Sequence, residues 1–374
     1  MQKKRILAAA ACALMLLTAC GKTIGSVTEV EVTTGTAATA AVTSAPEQTT
    51  VTSAETAAPV ETTTAQTSAS AAESSSVSEP AVIIPEKNDS SAPEDTADDK
   101  KGKKPSAGEI KEPYSNAYAL YCVDDKELIA GKALDKRISL ASTTKLLTAS
   151  LALRYLDPGT VVTVGDEVYY AKPDSTLSYL LPWTEITVYD LIAAMLLPSG
   201  NDAAYVTAVN TARAAAGDPD MTIDDAVDYF CGLMNEFAAE LGMEDSHFAN
   251  PEGWDDSEHY TTVNDMLKLA EYVLTVPELC EITSDNIWYF YSPVSGDLIW
   301  NTTNLFLDPN SAYYRTDCIG IKTGTTADAG CCLVSAFAEN DKKYICIVMG
   351  CNENEDRYEL VNKILKKYLK TGNN

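Results

Sequence analysis

Residues 318–350 read "CIGIKTGTTADAGCCLVSAFAENDKKYICIVMG". Three short apolar runs, 318–322, 331–338 and 344–350, are parted by Gly, Asp, Asn and Lys, the pattern of three successive antiparallel strands. Beyond them, 354–369 predicts a closing helix. Before them the periodicity is helical: 263–274 with Thr262 as cap and Asp265 three residues on, and 222–241 closed by Gly242. Residues 187–197 and 202–215 predict two apolar helices broken by Pro198-Ser199-Gly200-Asn201. A helix from Ser142 to about Tyr155 follows a hairpin formed by 116–123, the turn Asp124-Asp125-Lys126 and 127–130. Strands at both ends and helices between them predict an α+β domain: one antiparallel sheet built from both ends, flanked by helices, with a helical lobe inserted.

The rest of the chain differs in kind. Lys3, Lys4 and Arg5 precede an apolar run, 6–17, too short to span a bilayer and suited to a secretory signal, 1–19. The run closes in Leu17-Thr18-Ala19-Cys20, which resembles the lipobox of bacterial lipoproteins. That resemblance implies a lipid on Cys20 and a chain anchored to the outer face of the cytoplasmic membrane of a bacterium. Residues 20–113 are almost all Thr, Ala, Ser, Glu, Val and Pro with no aromatic residue, and cannot bury enough apolar surface to fold. They predict a disordered tether with a span on the order of 50 Å. All the aromatic residues fall in 114–374, the predicted catalytic domain. The net charge of −26 argues against nucleic acid as a partner. The two histidines lack zinc-ligand spacing and there is no Cys-x-x-Cys, so no metal and no cofactor are expected. Whether the domain's eight cysteines form disulfides is open at this level.

One lysine stands out in "ASTTKLLTAS", 141–150. An ammonium at the start of a buried helix needs a partner, and Ser142, three residues before Lys145, shares its face. The pair suits an activated nucleophile; it also fits a serine cap followed by a lysine lying along the surface. Ser199-Gly200-Asn201 and Lys322-Thr323-Gly324 are each ordinary as a loop and a strand end. In this order and at these separations, however, the three motifs resemble the active-site triplet of penicillin-recognising serine enzymes. "SGNDAA", "SHFANPEGWDDSEHYTTVNDM", "NTTNLF" and "GIKTGTTADAGCCLVSA" are similar to segments of D-alanyl-D-alanine carboxypeptidases of the low-molecular-weight penicillin-binding protein group.

The resemblance implies a β-lactamase/transpeptidase-like domain that removes the terminal D-alanine from peptidoglycan stem pentapeptides, with β-lactam antibiotics as covalent inhibitors. Ser142 would attack the peptide carbonyl, Lys145 take its proton, Ser199 relay a proton to the leaving amine and Asn201 hold Lys145 and the substrate amide. Lys322 would lower the pKa of Lys145 and attract the terminal carboxylate, Thr323 and Thr325 would touch that carboxylate, and Gly324 would let the substrate backbone approach. The resemblance also implies an oxyanion hole made by the N–H groups of Ser142 and Thr325. The further β-rich domain of many relatives is expected to be absent. A serine β-lactamase shares the motifs, but no Glu-x-x-Leu-Asn run lies between Ser199 and Lys322. A non-catalytic penicillin-binding or wall-sensing module is the other alternative. His247 and His259 are expected to cap and brace a loop rather than to serve a Ser-His-Asp triad, and Arg315 either lines the cleft or faces solvent.

Overall fold

In a computed structural model, Ile110 and residues 114–369 are described. The signal segment, Cys20 and the predicted tether apart from Ile110 lie outside them; Ile110 itself is buried in the core beside Tyr118. In chain order the elements are β1 (Ala117–Cys122), β2 (Glu127–Lys132), a 3-10 turn (Ala141–Thr144) running into α1 (Lys145–Tyr155), β3 (Val161–Thr163), β4 (Glu185–Thr187), α2 (Val188–Leu196), α3 (Asn201–Ala216), α4 (Ile223–Glu240), α5 (Val263–Val273), α6 (Pro277–Ser284), β5 (Ile287–Ser292), β6 (Gly296–Asn301), β7 (Cys318–Thr326), β8 (Gly330–Glu339), β9 (Lys342–Cys351) and α7 (Asn354–Tyr368). The main sheet is antiparallel in the order β2-β1-β9-β8-β7, so strands from both ends of the domain form one sheet.

Both faces of this sheet are covered, which is why its strands are apolar at nearly every position instead of alternating. Ala117, Ala119, Ile345, Ile347, Met349, Val334 and Ala336 face the helical body. Their neighbours Tyr118, Leu120, Cys346, Val348, Leu333 and Phe337 face α7, against Tyr358, Val361, Ile364 and Leu365. Alternate residues of a strand point to opposite faces, so each run feeds two cores. The helical lobe packs α1, α2 and α4 around α3. Its boundaries follow local chemistry: Thr187, Thr222 and Thr262 accept from the N–H of Asp190, Asp225 and Asp265 at 3.1, 3.2 and 3.2 Å.

Several elements depart from the sequence reading. The helix expected from Ser142 opens as the 3-10 turn, and α1 proper starts at Lys145. β7 continues past Lys322 to Thr326. The hairpin β5–β6, helix α6 and the small β3–β4 ladder were not anticipated. All eight cysteines among the described residues are free thiols.

Candidate active site

The turn that carries Ser142 is strained and clamped. Ala141 has φ +49, a region that costs a residue with a side chain about 1–3 kcal/mol and persists only where the surroundings impose it. Two glycines impose it. A Cβ on Gly253 (φ +92) would lie 1.9 Å from the Ala141 carbonyl oxygen, and one on Gly324 would lie 2.9 Å from Ala141 Cβ and 3.0 Å from Ser142 N. Gly324 therefore makes room for the nucleophile's own turn, where the sequence reading assigned that room to substrate. Thr144 Oγ1 donates to Ala141 O at 2.9 Å and accepts from His259 Nε2 at 2.7 Å, while His259 Nδ1 accepts from Ala249 N at 3.0 Å. With one ring nitrogen accepting, the other carries the hydrogen, so the imidazole is neutral. Burial is the main reason, holding its pKa down at about 4. The histidine braces the loop behind Ser142.

Lys145 is fully buried, and its Nζ lies 2.9 Å from Ser142 Oγ, 2.6 Å from Asn201 Oδ1 and 2.6 Å from Glu252 O. The amide oxygen and the peptide oxygen can only accept; the hydroxyl can do either. A neutral amine therefore spends its two N–H bonds on Asn201 and Glu252 and directs its lone pair at the Ser142 hydroxyl. Burial lowers the Lys145 pKa to about 7, against the pull of the Glu252 and Asp202 carboxylates. Lys322, also buried, is held well below the usual lysine value by burial, then by the charges of Lys145 and Arg357.

Asp202 ties the wall of the site together, accepting from Ser178 N and Oγ at 2.8 Å each and from Leu180 N at 3.1 Å. Asn201 N donates to Thr176 O at 2.8 Å, which ties the start of α3 to the loop that carries Ser178. Ser142, Asn201, Glu252, Trp254 and Thr325 share a cavity of about 430 Å³. Ser199 sits at φ +68, nearly buried, and its hydroxyl has no hydrogen bond among the described residues. Lys322 Nζ donates to Thr323 O at 3.1 Å. Thr323 Oγ1 is engaged with Thr303 Oγ1 at 2.6 Å and Thr323 is buried, whereas Thr325 is exposed in the cavity wall. So Ser142, Lys145 and Asn201 meet directly, Thr325 joins them in the cavity, and Thr323 is turned to a structural contact.

Two charged residues at the site escaped the sequence reading. Glu252 is buried inside "NPEG", a stretch that reads as a polar turn. Arg357 is buried on α7, and its Nη1 donates to Gly324 O at 3.1 Å, Cys332 O at 3.0 Å and Thr325 Oγ1 at 3.3 Å. Its signal was available: an arginine four residues before Val361 falls on the helix's apolar stripe. Arg315, by contrast, neither lines the cavity nor faces solvent freely. Its guanidinium bridges Asp317 at 2.9 and 2.5 Å and Asn362 at 2.9 Å, over the Phe337 ring. Among the described residues, no group of three or more His, Cys, Asp or Glu is placed to hold a metal ion.

The sheet and the inserted helices belong to the DD-peptidase class of folds. The structure of the Streptomyces K15 DD-transpeptidase superposes with a TM-score of 0.63 at 24% identity, over 70% of this chain and 100% of that one. Residues 108–353 match the D-alanyl-D-alanine carboxypeptidase family, and the chain belongs to it. Among curated relatives, it is 26% identical over 246 residues to the D-alanyl-D-alanine carboxypeptidase DacF of Bacillus subtilis, covering 65% of this chain and 59% of that one. It is 29% identical over 272 residues to DacC of Escherichia coli, covering 68% and 62%. The matched segment thus spans about three fifths of the length of these relatives.

Proposed function

We propose that the chain is a serine-type D-Ala-D-Ala carboxypeptidase acting on peptidoglycan stem pentapeptides. One observation carries this reading: among the described residues, the only group Lys145 Nζ touches that can give it a proton is the Ser142 hydroxyl, 2.9 Å away. In the proposed cycle, Lys145 takes that proton as Oγ attacks the carbonyl between the last two D-alanines. The N–H of Ser142 lies in the first turn of its helix, where it has no partner within the helix, and with that of Thr325 receives the oxyanion. Ser199, whose hydroxyl is uncommitted, passes a proton to the departing amine. Arg357 places a buried positive charge at β7 beside Lys322, a field that favours the substrate's terminal carboxylate, with the Thr325 hydroxyl next to the guanidinium. β-Lactams would acylate the same oxygen.

The experiment is D-alanine release from a stem pentapeptide by the purified chain and its Ser142→Ala variant. Release that disappears in the variant, together with loss of covalent labelling by a fluorescent penicillin, is the expected result. A folded wild-type chain that releases none would overturn the reading in favour of a binding module. We also propose export and lipid anchoring at Cys20, supported by the segment 1–20 alone. Cys20→Ala should move the protein from the membrane fraction to the soluble exported fraction, and an unchanged distribution would refute the anchor.

A further inference from the structure

We propose that the Glu252 carboxylate binds and deprotonates the water that hydrolyses the acyl-enzyme on Ser142. The inference rests on the carboxypeptidase reading above and adds to it the second half of the cycle. Glu252 is 1% exposed, yet it lines the cavity that holds Ser142 and Asn201. Its Oε1 accepts from the Tyr205 hydroxyl at 3.2 Å, while Oε2 is buried without a hydrogen-bond partner in the protein. Buried polar atoms are nearly always satisfied, and one left unsatisfied calls for a role. The main chain beneath it is anchored at the nucleophile's turn: Glu252 O holds Lys145 Nζ at 2.6 Å, and Gly253 is packed against the Ala141 carbonyl.

The chemistry of the site leaves this task open. Once Ser142 is acylated, the Lys145 lone pair still points at Oγ, now an ester oxygen, and its N–H bonds remain committed to Asn201 and Glu252 O. Of the other carboxylates in the cavity wall, Asp255 is occupied by Thr326 Oγ1 at 2.5 Å and Asp328 N at 3.0 Å, and Asp174 is exposed. Burial makes Glu252 the stronger base, because it raises the affinity of the carboxylate for a proton; Lys145, Tyr205 and Lys172 oppose that. In the step itself the water oxygen bonds to the acyl carbon as its proton passes to Oε2. The tetrahedral intermediate then collapses by breaking the bond from carbon to Oγ. The proton held by Glu252 passes to Oγ through a water of the cavity while Lys145 stays neutral, so serine and carboxylate are restored and one water is consumed.

The test uses the full chain carrying Glu252→Gln, which keeps shape and removes the base. From the pentapeptide this variant should release one D-alanine per enzyme in a burst, followed by turnover slower than wild type by about a hundredfold or more. Intact mass should then show the accumulated acyl-enzyme, with Ser142 labelling by penicillin slowed at least about tenfold less than turnover. In Glu252→Ala, which leaves room, added formate should restore release. Wild-type turnover in Glu252→Gln, or a burst slowed as much as the steady state, would overturn the proposal in favour of a structural glutamate. No release from the wild type would overturn the carboxypeptidase reading itself, a result the burst distinguishes.

Discussion

Burial sets the chemistry of Lys145, and its consequences can be read against pH. The pKa of about 7 lies below the unfolded value of 10.5, so between those limits the unfolded chain binds more protons and this group makes the fold more stable as pH rises. Below about 7 the lysine is protonated in both states and its full cost is present. Since the neutral amine is the form that accepts the Ser142 proton, the rate of penicillin labelling should climb with pH and level off above about 7. A profile flat from pH 5 to 9 would contradict that, by about a hundredfold in rate at the acid end. Gly324 gives a second test. Gly324→Ala puts a methyl group against Ala141 and Ser142 N, and should cost about 1–3 kcal/mol by thermal melting. It should also slow labelling by about tenfold or more, because the nucleophile moves. A variant with a normal melting curve and normal labelling would show that the turn yields freely.

Among the elements, legibility followed burial on two sides. The three long strands at 318–350 and the hairpin at the start of the domain were readable because apolar runs ended in turn residues. The end of β7 was not, since Thr323-Gly324-Thr325-Thr326 has no apolar pattern and is held in the sheet by pairing with β8. The hairpin β5–β6 was hidden for the opposite reason. Trp288 and Phe290 face the core while Tyr289 and Tyr291 are exposed, so aromatic residues on both faces erase the alternation that marks a strand. The serine, lysine and asparagine of the site were legible as short motifs. Glu252 comes from a different segment more than a hundred residues away, and no local spacing announces it. Arg357 links the elements, joining α7 to β7 and β8 through Gly324 O and Cys332 O. Arg357→Ala should lower stability by about 2 kcal/mol and the melting temperature by about 4–8 °C. Arg357→Lys should recover only part of this, because a single ammonium does not reproduce the planar fork. Equal melting of all three proteins would remove Arg357 from the support of the site.

At the scale of the whole molecule, the sheet joins what the chain keeps far apart. β1 ends at Cys122 and its partner β9 begins at Lys342, with the helical lobe and all of the site but Arg357 between them. Pairings of such long separation close slowly, because the loop entropy is met before the contact forms. Truncation after Glu339 should therefore cost more than one strand: it leaves β1 and β8 each without the neighbour between them. Such a chain should lose its cooperative thermal transition and be cut throughout by a dilute protease, whereas persistent protease-resistant cores would show that the lobe folds alone. The order in which a ribosome makes this protein thus sets a waiting time. The first hairpin must stay unaggregated, with one edge open, until nearly the last residues of the domain have emerged, and whatever shields that edge in the interval is part of what the sequence demands of its cell.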